Sequence, residues 1–313
     1  MISIQKYVRA ESLEEAYRLN QSRANRVIGG MLWIKTGTGS VSTAIDLCGL
    51  GLDGIEETEE EFVIGAMTSL RQIELHQGLN AYTQGAAEAA VRDIVGVQFR
   101  NLATVGGSIW GRFGFSDVLT FFLSMETFVE LYKGGILPLE QFAAMAYDRD
   151  ILVRLIVKKK PGMFAYRAFR NQRTDLPVIT CALSRVAGEY RAVVGARPGR
   201  AVVVRDEEGL LSGNLTEGEP SGKGGHFAAE ALSMEGGHSV AGAFSVEGGH
   251  SAAGAFSIGG GHLKEAFQAF SAYAAEKVPV GSNTRGSAAY RSHLIKVLTE
   301  RNLIQLGGNR DGN

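Results

Sequence analysis

The chain is poor in cysteine. Its 313 residues contain two, Cys48 and Cys181, and neither has a second cysteine at ligand spacing. An iron–sulfur cluster is held by about four thiolates, so this chain does not build one unaided. If the chain takes part in multi-step redox chemistry, the clusters sit on other chains. Both thiols read as small buried hydrophobes. An excess of one charge is also missing: Lys and Arg number 32 and Asp and Glu 33, for a net charge of −1. That balance argues against a nucleic-acid binder, which carries a basic excess. Long apolar runs are absent. Val118 to Met125 is the longest candidate and is interrupted by Thr120 and Ser124, far short of the roughly 20 residues a membrane span needs. The N-terminus is charged by Lys6 and shows no secretory pattern, so the expected location is cytoplasmic. Spacing reveals no Walker sequence and no nucleophile–base cluster.

Glycine is abundant, with 41 residues, and two pairs stand out. The first lies in Val27-Ile28-Gly29-Gly30-Met31-Leu32, and the second in Ala103-Thr104-Val105-Gly106-Gly107-Ser108. Ser116 and Asp117 follow the second. Paired glycines allow tight turns and close approach to a ligand, and successive N–H groups in such turns form concave anion sites. Two of them in one domain can hold a dinucleotide from two sides. A third glycine pattern, Gly49-Leu50-Gly51-Leu52-Asp53-Gly54, is followed by a run of carboxylates from Glu56 to Glu61. Those charges repel a pyrophosphate, and no apolar helix follows as a dinucleotide fingerprint requires. It reads as a loop.

Residues 1–160 read as alternating short strands and helices of an α+β domain. Ser12 to Glu15 is a capping box opening a helix toward Leu19. Strands are expected at Val27-Ile28, Ala44–Leu47, Phe62–Gly65, Phe128–Tyr132 and Ile151–Val157. Thr68 is expected to cap a helix through Leu75, and Ala86–Val95 to form an alanine-rich helix. Lys158 to Gly162 is a charged joint rich in breakers and marks the domain boundary. Residues 161–313 then show four strand-like runs, Met163–Phe169, Val178–Val186, Tyr190–Gly195 and Ala201–Val204, which suggest an antiparallel sheet. Two helices close the chain, with Leu294, Val297 and Leu298 on a buried face.

The run Arg100 to Gly107, with Ser116-Asp117 beyond it and Arg285-Gly286-Ser287-Ala288-Ala289-Tyr290-Arg291 near the C-terminus, resembles the FAD-binding medium subunit of the molybdenum hydroxylases. That family includes xanthine, nicotinate and carbon monoxide dehydrogenases. The resemblance implies a two-lobed PCMH-type FAD domain and a C-terminal domain with a three-stranded antiparallel sheet and helices. It implies FAD bound by Val27, Ile28, Gly29, Gly30, Met31, Leu32, Ala103, Thr104, Gly106, Gly107, Ser108, Ser116 and Asp117. Arg167 falls where relatives carry a lysine near the flavin. The implied partners are a molybdopterin-binding large subunit and a small subunit with 2Fe-2S clusters. The implied acceptor is NAD+. Several positions depart from the family: Met31-Leu32 replaces Thr-Asp, Ser108 replaces Asn, Gly114 replaces Pro, and Tyr132–Pro138 is shortened.

The family lacks one segment found here. At about residues 224–262, His226, His238, His250 and His262 each follow a Gly-Gly pair at a strict period of twelve. This is expected to be a tolerated loop insertion. A metal site and a small solenoid are the alternatives. At the level of function, two further readings stand beside the electron-transfer subunit. One is a non-catalytic assembly subunit whose glycine turns bind no nucleotide. The other is a stand-alone flavin oxidoreductase, which needs its own acid–base group.

Overall fold

The computed structural model describes residues 2–211 and 260–307. The histidine–glycine repeat lies almost wholly outside them. A small parallel sheet opens the chain, built from β1 (Ile2–Arg9), β2 (Arg26–Ile28) and β3 (Gly39–Asp46) in the order β1-β3-β2. The crossover between β1 and β2 is α1 (Leu13–Asn20). Ser12 caps it through Glu15 N–H, while the Glu15 carboxylate reaches back to Glu11 N–H rather than to Ser12.

The second lobe is a five-stranded sheet of β4 (Ile55–Glu57), β5 (Glu61–Gly65), β6 (Thr127–Leu131), β7 (Gly135–Pro138) and β8 (Leu152–Lys158), in the order β4-β5-β8-β6-β7. Its pairs are antiparallel. Short helices cover it: α2 (Leu70–Leu75), α3 (Gln77–Tyr82), α4 (Ala86–Val91), α5 (Val97–Leu102), α6 (Val105–Trp110), α7 (Asp117–Leu123) and α8 (Leu139–Ala144). Ile151 and Val153, at the start of β8, pack with Ala16, Ile45 and Leu47 and so join the two lobes.

The C-terminal part carries a four-stranded antiparallel sheet, β9 (Gly162–Phe169), β10 (Ile179–Val186), β11 (Glu189–Gly195) and β12 (Val202–Arg205), in the order β12-β11-β10-β9. Two long helices follow, α9 (Gly260–Lys277) and α10 (Ala288–Gly307). Strand alternation divides the sheet's two faces. Phe164, Tyr166, Ala182 and Val193 join the core of the five-stranded lobe. Ala165, Cys181, Leu183 and Val194 pack beneath α9 and α10. Hydrophobic packing therefore continues across Lys158–Gly162.

The helix caps correct three readings. Ser69, not Thr68, caps α2 in a full capping box with Gln72, because buried Thr68 donates its hydroxyl to Gly54 O instead. The alanine-rich helix stops at Val91 rather than Val95, and Val95 sits in the left-handed region at φ 51°. On α10, Ile295 is buried where Val297 is half-exposed. Cysteine is corrected too: Cys181 is buried, but Cys48 is exposed beside Asp46.

Arg291 is 1% exposed and holds the loop before α10. It donates to Val178 O at 3.0 Å, Gly281 O at 2.7 Å, Gly286 O at 2.5 Å and Asn283 Oδ1 at 2.6 Å. Arg291→Leu is expected to lower stability by about 3 kcal/mol or more, since bonds to a charged donor are each worth ~1.5–3 kcal/mol. Urea unfolding followed by circular dichroism measures the loss. A change under about 1 kcal/mol would mean that water replaces the guanidinium.

Candidate functional site

The two glycine turns meet. A Cβ built on Gly30 would lie 1.7 Å from Leu102 O, and one on Gly29 would lie 2.5 Å from Thr104 Oγ1. Only glycine lets the end of β2 lie flat on the α5–α6 junction. Among the described residues, no backbone N–H from Gly29 to Trp33 donates a hydrogen bond. Met31 adopts φ 59° inside this stretch, and left-handed residues of this kind turn consecutive N–H groups into an anion-binding concavity. The turn is half-exposed, so these donors are open to a ligand.

The second turn differs. Val105 N–H donates to Thr68 O and Gly106 N–H to Ala66 O, both at 2.8 Å. Gly107 N–H donates to Thr104 Oγ1 at 3.1 Å, as the cap of α6, and Ser108 N–H to Thr104 O. The expectation of two open N–H turns is therefore met by one. The second is a wall whose donors are spent on the core strand end and on its own cap. Gly106 is required there because its Cβ would lie 2.5 Å from Ala66 O. A Cβ on Gly107 would meet only Thr104 Oγ1, at 3.1 Å.

Arg100, the first residue of the motif, is buried and forks onto Glu74 at 2.7 and 3.1 Å, tying α5 to α2. Burial alone would raise the Glu74 pKa, but Arg100 and Arg71 outweigh it and hold the carboxyl below its ordinary value. Arg100 is thus a structural residue that fixes the wall.

Ser116 caps α7 through Leu119 N–H and donates its hydroxyl to Ser108 O at 3.2 Å. Asp117 is buried. It accepts from Tyr166 Oη at 2.6 Å and Arg170 Nη2 at 2.5 Å. Burial pushes its carboxyl above the ordinary range, against the pull of Arg170 and Tyr166. Arg170 also donates to Asp175 O at 2.6 Å, and Asp175 Oδ1 receives Arg285 Nη2 at 3.4 Å. Two ion pairs, Asp117–Arg170 and Asp175–Arg285, are thus joined through the main-chain carbonyl of Asp175.

Arg167 does not reach this region. It lies on β9 with the strand parity of Ala165, which packs toward α9 and α10, and its Nη2 donates to Gln305 Oε1 at 3.1 Å on α10. The cations linked to Asp117 are Arg170 and, by way of Asp175, Arg285. Arg285 stands inside a motif quoted from the sequence. Arg170 closes the apolar strand Phe164–Phe169, a position where a charge needs a buried partner.

Aromatic rings flank the open turn. Trp33, 47% exposed, lies 5.4 Å from Phe113 and 5.0 Å from Phe115, and those two phenylalanines stack at 5.2 Å. Phe115 in turn lines a groove of about 140 Å³ shared with Pro177, Pro198, Asn283 and Arg285. Buried Arg112 fixes the loop that carries these rings, with its guanidinium 3.9 Å from the Phe142 centroid and 4.9 Å from that of Tyr147. Among the described residues, no group of three or more His, Cys, Asp or Glu is placed to hold a metal, and no helix is long and apolar enough to cross a membrane.

Residues 2–159 match the family described as the FAD binding domain in molybdopterin dehydrogenase. The chain is 26% identical over 224 residues to the uncharacterized protein YgfM of Escherichia coli, covering 68% of this chain and 83% of that one. Its fold is that of a chain of the carbon monoxide dehydrogenase of Hydrogenophaga pseudoflava, with a TM-score of 0.70 at 18% identity over 97% of both chains. A chain of quinoline 2-oxidoreductase from Pseudomonas putida 86 matches at a TM-score of 0.71 and 15% identity, over 98% of this chain and 97% of that one.

The Asp117–Arg170 pair generates a prediction with a defined sign. A raised carboxyl pKa means that the folded state binds the proton more tightly. The group's contribution to stability is then largest below its unfolded value near 3.8 and is lost as pH rises through the folded value. Arg170→Leu should cost about 3–5 kcal/mol by stranding the carboxylate. The double variant Asp117→Leu/Arg170→Leu should recover most of that and flatten the decline of stability with pH expected of the parent. Thermal unfolding of all three proteins across a pH series is the check; a double variant no better than the single would sink the account.

Proposed function

Because the chain belongs to the family of FAD-binding domains of molybdopterin dehydrogenases, we propose that it is the FAD-carrying electron-transfer subunit of a molybdenum-containing dehydrogenase of the xanthine dehydrogenase kind. Electrons reach its flavin from 2Fe-2S clusters on a small partner subunit. The substrate is oxidised on a molybdopterin-binding large subunit. Bound FAD would supply the hydride chemistry, with NAD+ as the acceptor. The observation that carries this reading is the run of open N–H groups from Gly29 to Trp33, pinned against Leu102–Thr104 by two glycines that admit no Cβ. That geometry fits a diphosphate, which needs several donors and close backbone approach.

The chain's residues divide the work as follows. Gly29 to Leu32 supply N–H donors to the diphosphate. Ala103, Thr104, Gly106 and Gly107 form the wall. Ser108 and Ser116 stiffen it, their hydroxyls donating to Thr104 O and Ser108 O, and Asp117 acts through Arg170 rather than by direct contact. The flavin supplies the redox chemistry, and the protein orients it.

A flavin spectrum of the purified chain tests the reading: absorbance near stoichiometric FAD is expected, and a colourless protein that takes up no added FAD refutes it. That second outcome is the signature of the assembly-subunit reading, which the spent donors of the second turn favour. Gly30→Ala should force the first turn off Leu102 O and weaken FAD binding by roughly tenfold or more, about 1.4 kcal/mol per decade. Flavin retained through gel filtration reports it. Coexpression with its partners should yield a three-subunit complex that reduces NAD+ with substrate.

A further inference from the structure

We propose that β1 joins a second copy of this chain edge to edge, in an antiparallel strand pair centred on Gln5. β1 is the outer strand of the parallel sheet, in the order β1-β3-β2. Parallel strands are ordinarily covered on both faces. Here Val41, Ala44 and Ile45 of β3 are buried, whereas every residue from Ser3 to Tyr7 is exposed. Ile4 and Tyr7, on opposite faces of the strand, are 38% and 57% exposed. The edge is open as well. Ala10 N–H donates to Asp46 O at 2.9 Å and Arg9 is paired with Asp46, so the even-numbered residues of β1 turn their backbone groups toward β3. Ser3, Gln5, Tyr7 and Arg9 turn theirs outward, and among the described residues those groups meet no partner. No proline or glycine interrupts the strand. An unbroken edge of this kind is a template for another strand.

The charges choose the occupant and the register. Lys6 and Arg9 are the charged residues of β1, and both are cations. A two-fold axis at Lys6 would set the two lysines against each other, and like charges directly opposite are destabilising. A two-fold axis at Gln5 aligns residues 2–8 of both copies without that clash. It sets Gln5 against Gln5, Ser3 against Tyr7, Ile4 against Lys6 and Ile2 against Val8. The outward groups of Ser3, Gln5 and Tyr7 then bond in closely spaced pairs. On one face Ile2, Ile4 and Val8 of the two copies form an apolar row, over which the Lys6 stems lie. Axes at Ile4 or Tyr7 shorten the overlap. The Tyr7 hydroxyl donates to Asp46 Oδ2 at 2.6 Å, which leans the ring toward β3 and away from the edge. A net charge of −1 leaves little repulsion between whole chains. The strand is thus complementary to its own copy. β2, with the open turn at its end, lies at the sheet's far edge and stays free.

Strand pairing by itself buries little surface, so the dimer is weak and concentration-dependent. Sedimentation velocity of the full chain across the micromolar range should show a reversible monomer–dimer equilibrium. Gln5→Lys and Gln5→Glu place like charges on the axis and should each weaken it by about tenfold. An equimolar mixture of the two variants should restore it, because opposite charges then meet. Ile4→Glu, which faces Lys6 at two symmetric places, should tighten the dimer severalfold. A chain that stays monomeric throughout overturns the proposal and leaves the edge to a strand of another protein. A dimer indifferent to both Gln5 substitutions overturns it too, since that dimer uses another surface. So does a dimer that Ile4→Glu weakens, because the register is then different. Hydrogen exchange of the unaltered chain decides even where a variant fails to fold. The Ser3, Gln5 and Tyr7 amides should gain protection as concentration rises, and exchange that is the same at every concentration overturns the proposal.

Discussion

The contact between Gly30 and the Leu102 carbonyl sets the geometry of the whole site. Two backbones approach so closely there that a methyl group would overlap an oxygen at 1.7 Å. That approach places the open donors of the first turn on one rim and the spent donors of the second on the other. It also explains why the motif around the second turn is so long. Arg100 anchors α5 to Glu74, Thr104 caps α6 and faces Gly29, and Gly106 lies on Ala66. Each residue fixes the surface on which Gly30 rests. The motif builds a wall; the open N–H groups belong to the shorter and less distinctive turn.

The C-terminal motif divides in a similar way. Arg291 is buried and spends its guanidinium on loop carbonyls, while Arg285 keeps part of its own unspent. A buried arginine with four acceptors rigidifies a loop without needing an ion pair. Asp117 shows the opposite economy. Its charge is buried at a cost that its partners do not fully offset, and such pairs are weak sources of stability. Its role is positional: through Arg170 it ties α7 to the segment carrying Asp175, and so to Arg285.

Local patterns were legible in the chain to the extent that they depend on neighbours in sequence. The strands of the four-stranded C-terminal sheet follow their apolar runs nearly residue for residue, and Ser12 caps α1 where its spacing requires. What the sequence hid was long-range. Nothing adjacent to Val105 or Gly106 indicates that the carbonyls of Thr68 and Ala66 occupy their N–H groups. Thr68 and Ser69 are equally good caps by type, and only the burial of Thr68 against Gly54 separates them. Arg167 and Arg170 share one strand and its exit. The alternation of that strand sends the first toward α10, and the strand's end turns the second onto Asp117. Parity and strand ends, not composition, decided which cation belongs to the site.

The groove also bears on which kind of flavin protein this is. A flavin enzyme that oxidises its own organic substrate needs a group that accepts or donates a proton at neutral pH. The polar side chains lining this groove are Asn283 and Arg285. An amide does not titrate, and a guanidinium stays protonated throughout the physiological range. Strongly perturbed groups lie elsewhere: Tyr7, exposed on β1, is raised to about 12 foremost by its hydrogen bond to Asp46. Tyr166 is raised foremost by burial and then by Asp117, and the Cys181 thiol is pushed up to about 11 by burial. Both belong to the sheet interior, not to the ligand surface. The groove combines Pro177 and Pro198 with a permanent cation, Arg285. Among the described residues that line it, none titrates near neutral pH. Arg285 serves this groove through charge and hydrogen bonding, in a chain that belongs to an FAD-binding family.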